Sequence, residues 1–372
     1  MQDSANDEKF MRRCLDLALQ GKGNVAPNPL VGCVIVHNKT IIGEGFHQVF
    51  GQAHAEVNAI ANVKDPELLK ESTLYVNLEP CSHFGKTPPC VNLILEKSIP
   101  SVKIGTYDPN ELVAGKGIKL LREKGVKVTE GILSDECKDV NARFFSWHIR
   151  KRPYIILKWA KSADGFIDLI RSSDSPIEPN WITSQQARIL VHKWRAEEQA
   201  ILVGTTTVLK DNPRLNVRDW EGRDPIRLVI DRKRILGSKY HVFDNNQDTI
   251  VFTEKTFPEE GNDVSFSESK AAESLTSEAV RTKFVKIDFE NDAELQMLEV
   301  LYRENIQSLI IEGGAYTLKQ FIDKNLWDEA RIFTGPMLFN NGIRSPEITG
   351  RSGYIGMVDN SQLLVLYNEK II

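Results

Sequence analysis

Short apolar runs alternate with amphipathic stretches along the chain, and this alternation predicts an α/β architecture in which helices cover sheets. The chain begins with an amphipathic helix over 7–20, followed by a hairpin whose strands cover 31–36 and 40–45. The pattern predicts further strands at 73–78, 102–106 and 126–129, separated by helices at 54–64, 89–97 and 116–124. A polar stretch over 134–152, which we expect to be helical, closes this part of the chain.

A second α/β region follows the polar stretch. Its predicted strands are 154–160, 200–204, 226–231, 249–253, 284–287, 308–312 and 330–334, and its predicted helices lie near 184–197, 292–304 and 315–324. The segment 254–282 is rich in Ser and Glu, so we expect a surface loop with some helix. Because 372 residues exceed what one core usually organises, we predict two domains, over 1–149 and 150–372.

Composition narrows the classes of protein to consider. The formal net charge is -4, which disfavours a sequence-independent grip on nucleic acid because that grip needs a basic surface. We find no apolar run long enough to span a membrane and no signal-peptide pattern at the start, so we expect a cytoplasmic protein without membrane contact. All five cysteines lie within the first 137 residues, which favours metal chemistry in the first domain over disulfides.

Two short motifs supply the elements of a catalytic zinc site. HAEVNA at 54–59 and EPCSHFGKTPPC at 79–90 provide His54, Cys81 and Cys90 as ligands, together with Glu56. A catalytic zinc takes three protein ligands and keeps one position open for water. Each motif is weak by itself, but the conjunction of His-x-Glu, a Cys after a strand and a Cys at a helix start is typical of zinc deaminases, in which the Glu carries protons and is not a ligand.

The predicted local structure agrees with this assignment. Cys81 follows a strand, and Cys90 lies in a first helical turn, where the helix dipole favours the thiolate. His54 must lie at the very start of its helix, because positions i and i+2 of a helix do not share a face. A fourth protein ligand would close the open position, so we expect His83 to contact substrate instead. The remaining cysteines, which we expect to be core or surface residues, are Cys14, Cys33 and Cys137.

The expected chemistry is hydrolytic deamination. Bound zinc would activate a water molecule for attack on an amidine-type carbon. Glu56 would take a proton from that water and deliver it first to a ring nitrogen and then to the departing ammonia. An alternative is a structural zinc in a non-catalytic scaffold; the presence of Glu56 and the count of three ligands both speak against it.

The sequences of these motifs resemble those of one enzyme family. HAEVNA and PCSHFGKTPPC, with eight residues between the cysteines, are similar to the deaminase domain of the bifunctional riboflavin-biosynthesis deaminase/reductases. APNPLVGCVIV at 26–36 also resembles that domain, which implies that Asn28 contacts the pyrimidine. Nucleic-acid-editing and free-cytidine deaminases typically have two residues between the cysteines. This difference and the acidic charge disfavour the second alternative, a nucleic-acid base deaminase with a C-terminal targeting module.

The second domain continues the resemblance. RPYIILKWAKSADG (152–165), the stretch 180–218 and LIIEGGAYTLKQFIDKNLWDEARIF (309–333) are similar to the family's reductase domain, which implies a dihydrofolate-reductase-like α/β fold and NADPH. No Gly-x-Gly-x-x-Gly follows a strand, so a Rossmann site is not implied. Instead, Gly313 and Gly314 lie between a predicted strand and a predicted helix, where backbone N–H groups can meet a phosphate.

The resemblance also implies residue roles in the second domain. The implied cofactor contacts are Ala160, Trp181, Thr207, Asp211 and the turn beginning at Gly314, and the implied substrate contacts are Arg195, Leu215, Arg218 and Glu312. Arg195 and Arg218 would together bind a terminal phosphate. Arg232, in the run Arg-Lys-Arg after the strand over 226–231, occupies the position of a contact to the 2′-phosphate of NADPH. The sequence departs from the usual family pattern at Ala163, Pro179 and Asn212.

We therefore expect a cytidine-deaminase-like α/β/α layered domain followed by a dihydrofolate-reductase-like α/β domain. The resemblance implies that the first converts 2,5-diamino-6-ribosylamino-4(3H)-pyrimidinone 5′-phosphate to 5-amino-6-(5-phosphoribosylamino)uracil. The second would reduce the ribosyl group to ribityl, with hydride from NADPH going to C1 of the sugar. The partner is then a small phosphorylated pyrimidine, with neither nucleic acid nor membrane involved. The resemblance also implies self-association through the reductase domain, and the sequence identifies no general acid for the reduction.

Overall fold

The computed structural model describes residues 2–83, 88–110, 113–172, 174–255 and 281–369. They form two compact units, Met1–Tyr154 and Ile155–Ile372. The expected boundary, between 149 and 150, falls inside helix α6 (Ala142–Arg150), which belongs whole to the first unit. The physical reason is that α6 buries Phe144 against a cavity of the first unit, so the helix is part of that unit and not a linker.

The first unit is built on a five-stranded sheet with the order β2-β1-β3-β4-β5. Its strands are β1 (Gly32–His37), β2 (Thr40–Phe46), β3 (Thr73–Leu78), β4 (Ser101–Thr106) and β5 (Lys127–Thr129). Strand β1 pairs antiparallel with both β2 and β3, whereas β3, β4 and β5 are parallel. The carboxyl ends of β3 and β4 therefore lie at one edge of the sheet, where parallel α/β sheets commonly build their sites.

Helices cover both faces of this sheet, as predicted. They are α1 (Gln2–Leu19), α2 (Ala55–Ala61), α3 (Cys90–Glu96), α4 (Lys116–Glu123), α5 (Ser134–Val140) and α6, with a 3₁₀ helix over Pro66–Glu71. Alternate residues of β1 define the two faces: Ile35 packs in a core with α2, α3 and α4, and Val34 packs in a core with α1 and α5. Strand β2 lies so close to α2 that a Cβ at Gly45 would stand 2.4 Å from the Ala59 nitrogen.

The second unit contains a nine-stranded sheet with the order β11-β10-β9-β8-β12-β6-β13-β16-β15. These strands are β6 (Tyr154–Lys161), β8 (Ala200–Gly204), β9 (Ile226–Ile230), β10 (Thr249–Thr253), β11 (Thr282–Lys286), β12 (Ser308–Ile311), β13 (Glu329–Thr334), β15 (Arg351–Val358) and β16 (Ser361–Tyr367). Strands β11, β10, β9, β8 and β12 are parallel to their neighbours in that series, and β16 is antiparallel to both β13 and β15. A separate pair joins β7 (Phe166–Asp168) to β14 (Ile343–Arg344).

The helices of the second unit connect the parallel strands. They are α7 (Gln185–Glu197), α8 (Thr205–Asp211), α9 (Ala293–Arg303) and α10 (Ala315–Asp323), with a 3₁₀ turn over His241–Phe243. The core between sheet and helices is formed by residues such as Leu157, Leu202, Phe252 and Phe321. Among the described residues, no helix combines the length and the apolar character needed to cross a bilayer.

All the predicted strands are present, with ends shifted by a few residues, but several elements were missed. These are α8, β7, β14, β15 and β16. The residues of β15 are almost all exposed, so the strand lacks the apolar alternation that reveals a half-buried strand. The expected loop over 254–282 lies mostly outside the described residues, and Thr282 already belongs to β11.

Candidate metal centre and cavity of the second unit

The three predicted metal ligands meet in the first unit. The ligand atoms of His54, Cys81 and Cys90 all lie within 4.8 Å of one another. His54 Nδ1 is 3.3 Å from Cys90 Sγ and 3.6 Å from Cys81 Sγ. A tetrahedral zinc with bonds of about 2.0 to 2.3 Å separates its ligands by about 3.3 to 3.8 Å, so this donor set fits zinc. Within the described ranges, no other group of His, Cys, Asp or Glu residues forms such a cluster.

Each ligand is positioned by the end of an element. His54 is the N-cap of α2 with an extended backbone (φ −73°, ψ 166°), as the spacing to Glu56 required. Cys90 is the first residue of α3 and follows Pro89, which is the N-cap and not the first helical residue as expected. Cys81 lies just beyond β3, and its sulfur accepts the Cys90 backbone N–H at 3.3 Å. Hydrogen bonds from the Cys90 thiol and from His54 outweigh burial and lower the pKa of Cys81 to about 4, which makes its sulfur a thiolate.

Glu56 faces a cavity of 340 Å³ beside this cluster. The cavity is also lined by Asn28, His83 and Asp108. Glu56 is only 4% exposed, and burial raises the pKa of its carboxyl. A raised pKa makes the carboxylate a stronger base, so it can accept a proton from water more readily, as proton transfer during deamination requires.

His47 is a cavity residue that the sequence reasoning missed. Its Nδ1 lies 3.0 Å from the Ala53 carbonyl, which requires a proton on that nitrogen, and its Nε2 therefore accepts the Asn28 side-chain N–H at 3.0 Å. Burial lowers the pKa of His47, which favours the neutral ring. His47 thus fixes the orientation of the Asn28 amide. The sequence signal that could have identified His47 is that this polar residue follows the end of a predicted strand.

A second residue that the sequence reasoning missed, Glu79, supports the wall of the cavity. Its buried carboxylate accepts backbone N–H groups from Gly115 at 2.9 Å, Gly117 at 3.0 Å, Ile118 at 3.2 Å and Asp108 at 3.4 Å. It therefore ties the end of β3 to the start of α4 and to the loop after β4. Burial, followed by the negative charges of Glu79 and Cys81, raises the pKa of Asp108 to about 7.

The second unit holds a cavity of 680 Å³, within the size range of ligand sites. Gly204, Ile230 and Glu312, at the carboxyl ends of three parallel strands, are among its lining residues. Gly314 is the N-cap of α10, and its N–H donates to Thr207 Oγ1 at 3.1 Å. Ala315, Tyr316 and Thr317, the first residues of α10, line the cavity, and a helix start of this kind suits the phosphates of a nicotinamide cofactor.

The residues expected to bind the cofactor and substrate of the second unit are divided between this cavity and its surroundings. Those that line the cavity are Thr207, Asp211, Arg232, Glu312 and Gly314. Among the described lining residues we do not find Ala160, Trp181, Arg195, Leu215 or Arg218. Trp181 is half exposed, with the Arg188 guanidinium 4.4 Å from its ring centre. Leu215 is buried and has a left-handed backbone (φ 57°).

A buried charge cluster surrounds Glu312. Arg195 donates from Nε to Glu312 Oε1 at 2.8 Å and from Nη2 to Oε2 at 2.9 Å, and Lys158 Nζ donates to Oε2 at 3.3 Å. Arg195 therefore binds a carboxylate with its bidentate edge, in contrast to the expected pairing of Arg195 and Arg218 on one phosphate. Burial alone would raise the pKa of Glu312, but Arg195 and Lys158 together lower it. Lys158 was missed, although it is the one cation in the apolar run YIILKWA.

Asp211 is also paired. Arg171 Nη2 lies 2.9 Å from Asp211 Oδ1 and 2.9 Å from Asp168 Oδ1. Pro179, one of the departures from the family pattern, lines the same cavity. Asn212 takes the left-handed conformation at the end of α8 (φ 41°), and Ala163 donates its N–H to the Met337 carbonyl at 2.9 Å. The structure therefore gives a backbone role to Asn212 and Ala163 and places Pro179 at the cavity.

Comparison with known proteins agrees with the geometry of both units. The model of the cytidine and deoxycytidylate deaminase zinc-binding region matches residues 4–106, and the model of the RibD C-terminal domain matches 153–352. Riboflavin biosynthesis protein RibD of Aquifex aeolicus is 36% identical over 93% of this chain and 91% of its own, and RibD of Escherichia coli is 34% identical over 91% of this chain and 90% of its own.

Solved structures extend the agreement to the fold. The diaminohydroxyphosphoribosylaminopyrimidine deaminase/5-amino-6-(5-phosphoribosylamino)uracil reductase of Thermotoga maritima has a TM-score of 0.83 and 35% identity, covering 98% of this chain and 99% of its own. Acinetobacter baumannii RibD has a TM-score of 0.84 and 30% identity with the same coverage. The expected fold class, a deaminase-like domain followed by a reductase domain, is confirmed, and the two domains imply zinc and a nicotinamide cofactor. The chain therefore belongs to the RibD family of bifunctional deaminase/reductases of riboflavin biosynthesis.

Proposed function

We propose that the first unit deaminates 2,5-diamino-6-ribosylamino-4(3H)-pyrimidinone 5′-phosphate and that the second unit reduces the resulting uracil derivative with NADPH. The main support for the deaminase activity of the first unit is the cluster of His54, Cys81 and Cys90 beside the buried Glu56. The 340 Å³ cavity beside the cluster suits a single pyrimidine ring better than a polymer. The phosphorylated substrate is that of the relative from Thermotoga maritima.

In the deaminase site, His54, Cys81 and Cys90 would hold zinc. Bound zinc supplies an activated water molecule as the nucleophile. Glu56 accepts a proton from the water and passes it to the ring nitrogen next to the amidine carbon. It then takes the proton of the hydroxyl group that has been added to this carbon and transfers it to the amino group, so that the carbonyl forms as the C–N bond breaks and ammonia leaves. Burial of Glu56 supports this role, because it raises the pKa of the carboxyl and so favours the protonated form that must return a proton.

Substrate in the first unit would be oriented by side chains around the cavity. Asn28, with its amide fixed by His47, hydrogen-bonds the pyrimidine edge. His83 lies exposed at the cavity rim and contacts the ribosyl phosphate end. Asp108, which lines the same cavity and whose pKa is raised to about 7, accepts or donates a further hydrogen bond to the ring. These polar groups line one cavity, as recognition of a polar heterocycle requires.

In the second unit, NADPH supplies a hydride for C1 of the ribosyl group. The C1–oxygen bond of the sugar ring breaks as the hydride arrives, and the ring oxygen takes a proton, which yields the ribityl chain. Lys158 is the proton source that we propose, because its buried ammonium has a pKa lowered by burial and is held by a hydrogen bond to the Glu312 carboxylate. Arg195 holds Glu312 by two hydrogen bonds and so positions the pair.

The remaining contacts follow the family resemblance and the cavity. The cofactor would contact Ala160, Trp181, Thr207, Asp211, Gly314 and, through its 2′-phosphate, Arg232. Leu215 and Arg218 would contact the substrate. The first residues of α10 line the cavity, which supports a phosphate position at the start of this helix. Self-association through the second unit remains a prediction.

The direct test is product analysis by liquid chromatography and mass spectrometry. The zinc-loaded protein is incubated with the diaminopyrimidine phosphate, with and without NADPH. We expect the deaminated ribosyl compound without cofactor and the ribityl compound with NADPH. Reduction of the diaminopyrimidine before deamination would contradict the proposed order. Absence of the deaminated product from zinc-loaded protein would contradict the assignment of the first unit.

A further inference from the structure

Arg232, the residue that we propose for the 2′-phosphate of NADPH, lies where three neighbouring parallel strands end. It follows β9, while Glu254 follows β10 and Glu290 lies in the loop after β11. The Arg232 carbonyl accepts the Glu254 N–H at 3.1 Å and the Thr253 hydroxyl at 3.1 Å, which fixes the Arg232 backbone against the end of β10. The parallel order of the strands therefore brings one cation and two carboxylates together.

Both carboxylates bind the Arg232 guanidinium. Nε donates to Glu254 Oε2 at 2.7 Å, and Nη2 donates to Glu290 Oε1. The Arg232 guanidinium also lies 5.6 Å from the centre of the Phe289 ring. Asp231 does not compete for this cation through its side chain, because its two oxygens accept the backbone N–H groups of Ile235 and Leu236 at 3.0 Å. The charge of Arg232 is thus balanced by Glu254 and Glu290.

The two carboxylates differ in how readily they can leave. The Glu290 side chain is 75% exposed, whereas that of Glu254 is 35% exposed. Arg232 and Glu290 line the 680 Å³ cavity together with Phe289, so an incoming phosphate approaches from the Glu290 side. A dianionic phosphate needs the guanidinium N–H groups that Glu290 occupies, and it would also be repelled by the Glu290 charge. The exposed pair with Glu290 is weak enough to exchange.

We propose that Glu290 is a specificity-determining residue that competes with the cofactor's 2′-phosphate for Arg232 and so weakens the chain's preference for NADPH over NADH. Glu254 is a positioning residue that holds Nε and directs the outer edge of the guanidinium toward the cavity. This inference rests on the proposed role of Arg232. It implies that the 2′-phosphate binds only after Glu290 has moved away.

The test measures binding and not turnover, with two probes that differ only in the phosphate of interest. Adenosine 2′,5′-bisphosphate and adenosine 5′-monophosphate are titrated calorimetrically into the full-length wild type and into Glu290→Gln at low salt. We expect the variant to bind the bisphosphate about three- to tenfold more tightly, because one competing charge is removed. Affinity for the monophosphate should change less than about twofold, and the gain should shrink at high salt.

A matched control and a double variant isolate the mechanism. Glu304→Gln removes the same charge from an exposed glutamate that is bound to Lys283, and it should leave both affinities unchanged. In the Arg232→Ala background, Glu290→Gln should no longer tighten bisphosphate binding, because the competition acts through Arg232. Equal tightening of both probes, or the same gain without Arg232, would overturn the proposal.

The outcomes also separate this inference from the proposed function. If Arg232→Ala weakens bisphosphate binding but Glu290→Gln does not strengthen it, Arg232 binds the phosphate and Glu290 does not compete. If Arg232→Ala leaves bisphosphate binding unchanged in both the wild-type and the Glu290→Gln background, the proposed 2′-phosphate contact is wrong, and the role of Glu290 fails with it.

Discussion

Replacement of Glu79 by Gln is expected to loosen the wall of the deaminase cavity. The Glu79 carboxylate is buried and accepts two N–H groups on each oxygen: Gly117 and Ile118 on Oε1, and Gly115 and Asp108 on Oε2. Glutamine has only one oxygen, so its –NH₂ group would face two buried donors. Each buried donor left without an acceptor costs about 1 to 3 kcal/mol, so the local structure should lose about 2 to 6 kcal/mol.

Hydrogen–deuterium exchange can measure this loss of local stability, because it reports the stability of each segment separately. Amides at the start of α4 should exchange at least about thirtyfold faster in Glu79→Gln, since 1.4 kcal/mol corresponds to a factor of ten. Strands β9 and β10 of the second unit serve as an internal reference. Glu123→Gln is the matched control: this residue lies on the same helix, its side chain is 58% exposed, and it is 3.9 Å from Lys119. Unchanged exchange at α4 in Glu79→Gln would refute the reasoning.

Three further predictions concern the two sites, and a fourth concerns the pH dependence of stability. Cys90→Ser should lower zinc content and abolish deamination while the supplied deaminated substrate is still reduced; equal loss of both activities would contradict the separation of the sites. Glu56→Gln should keep zinc, as measured by atomic absorption, and lose deaminase turnover by about 100- to 10,000-fold. Arg218→Ala should impair reduction of the phosphorylated substrate by about 10- to 150-fold and spare the dephosphorylated analogue; equal losses would mean that it serves the fold. Burial lowers the pKa of His192 to about 4, below the unfolded value of about 6.5, so the unfolded chain binds the proton first as pH falls. The contribution of His192 to the free energy of unfolding is present above pH ~6.5 and is lost toward pH 4. Denaturant titrations of the wild type and His192→Gln should therefore show that this free energy depends less on pH in the variant.

The metal centre could be predicted from sequence because its residues sit at element ends that the hydrophobic pattern marks. Cys81 follows a buried strand, Cys90 begins a helix, and His54 precedes a helix. The local sequence pattern was therefore sufficient to predict that all three ligands lie at one edge of a sheet. The supporting residues were not predictable in this way. Glu79 acts on backbone N–H groups of α4, more than thirty residues along the chain, and nothing in its local sequence marks that contact.

The second unit shows the same division between local and distant information. The position of Gly314 at the start of α10 could be predicted, because a glycine between a predicted strand and a predicted helix is a local signal; its contact with a phosphate stays a prediction. The pairing of Arg195 with Glu312 depends on α7 and the end of β12 meeting across the fold, and the carboxylates around Arg232 depend on the order of three parallel strands. Strand order is not encoded in hydrophobic periodicity, so these ion pairs could not be predicted from the sequence.

The central claim, two successive reactions at two separate sites of one chain, is tested most directly by mixing two inactivated variants. Glu56→Gln should leave the diaminopyrimidine phosphate untouched but reduce supplied deaminated substrate. Lys158→Met should stop at the deaminated ribosyl compound, because the proton source for reduction is removed. The account predicts that each variant alone yields no ribityl product with the diaminopyrimidine phosphate and NADPH, and that an equal mixture yields it. A mixture that remains as inactive as the separate variants, although each retains its own partial reaction, would contradict the account.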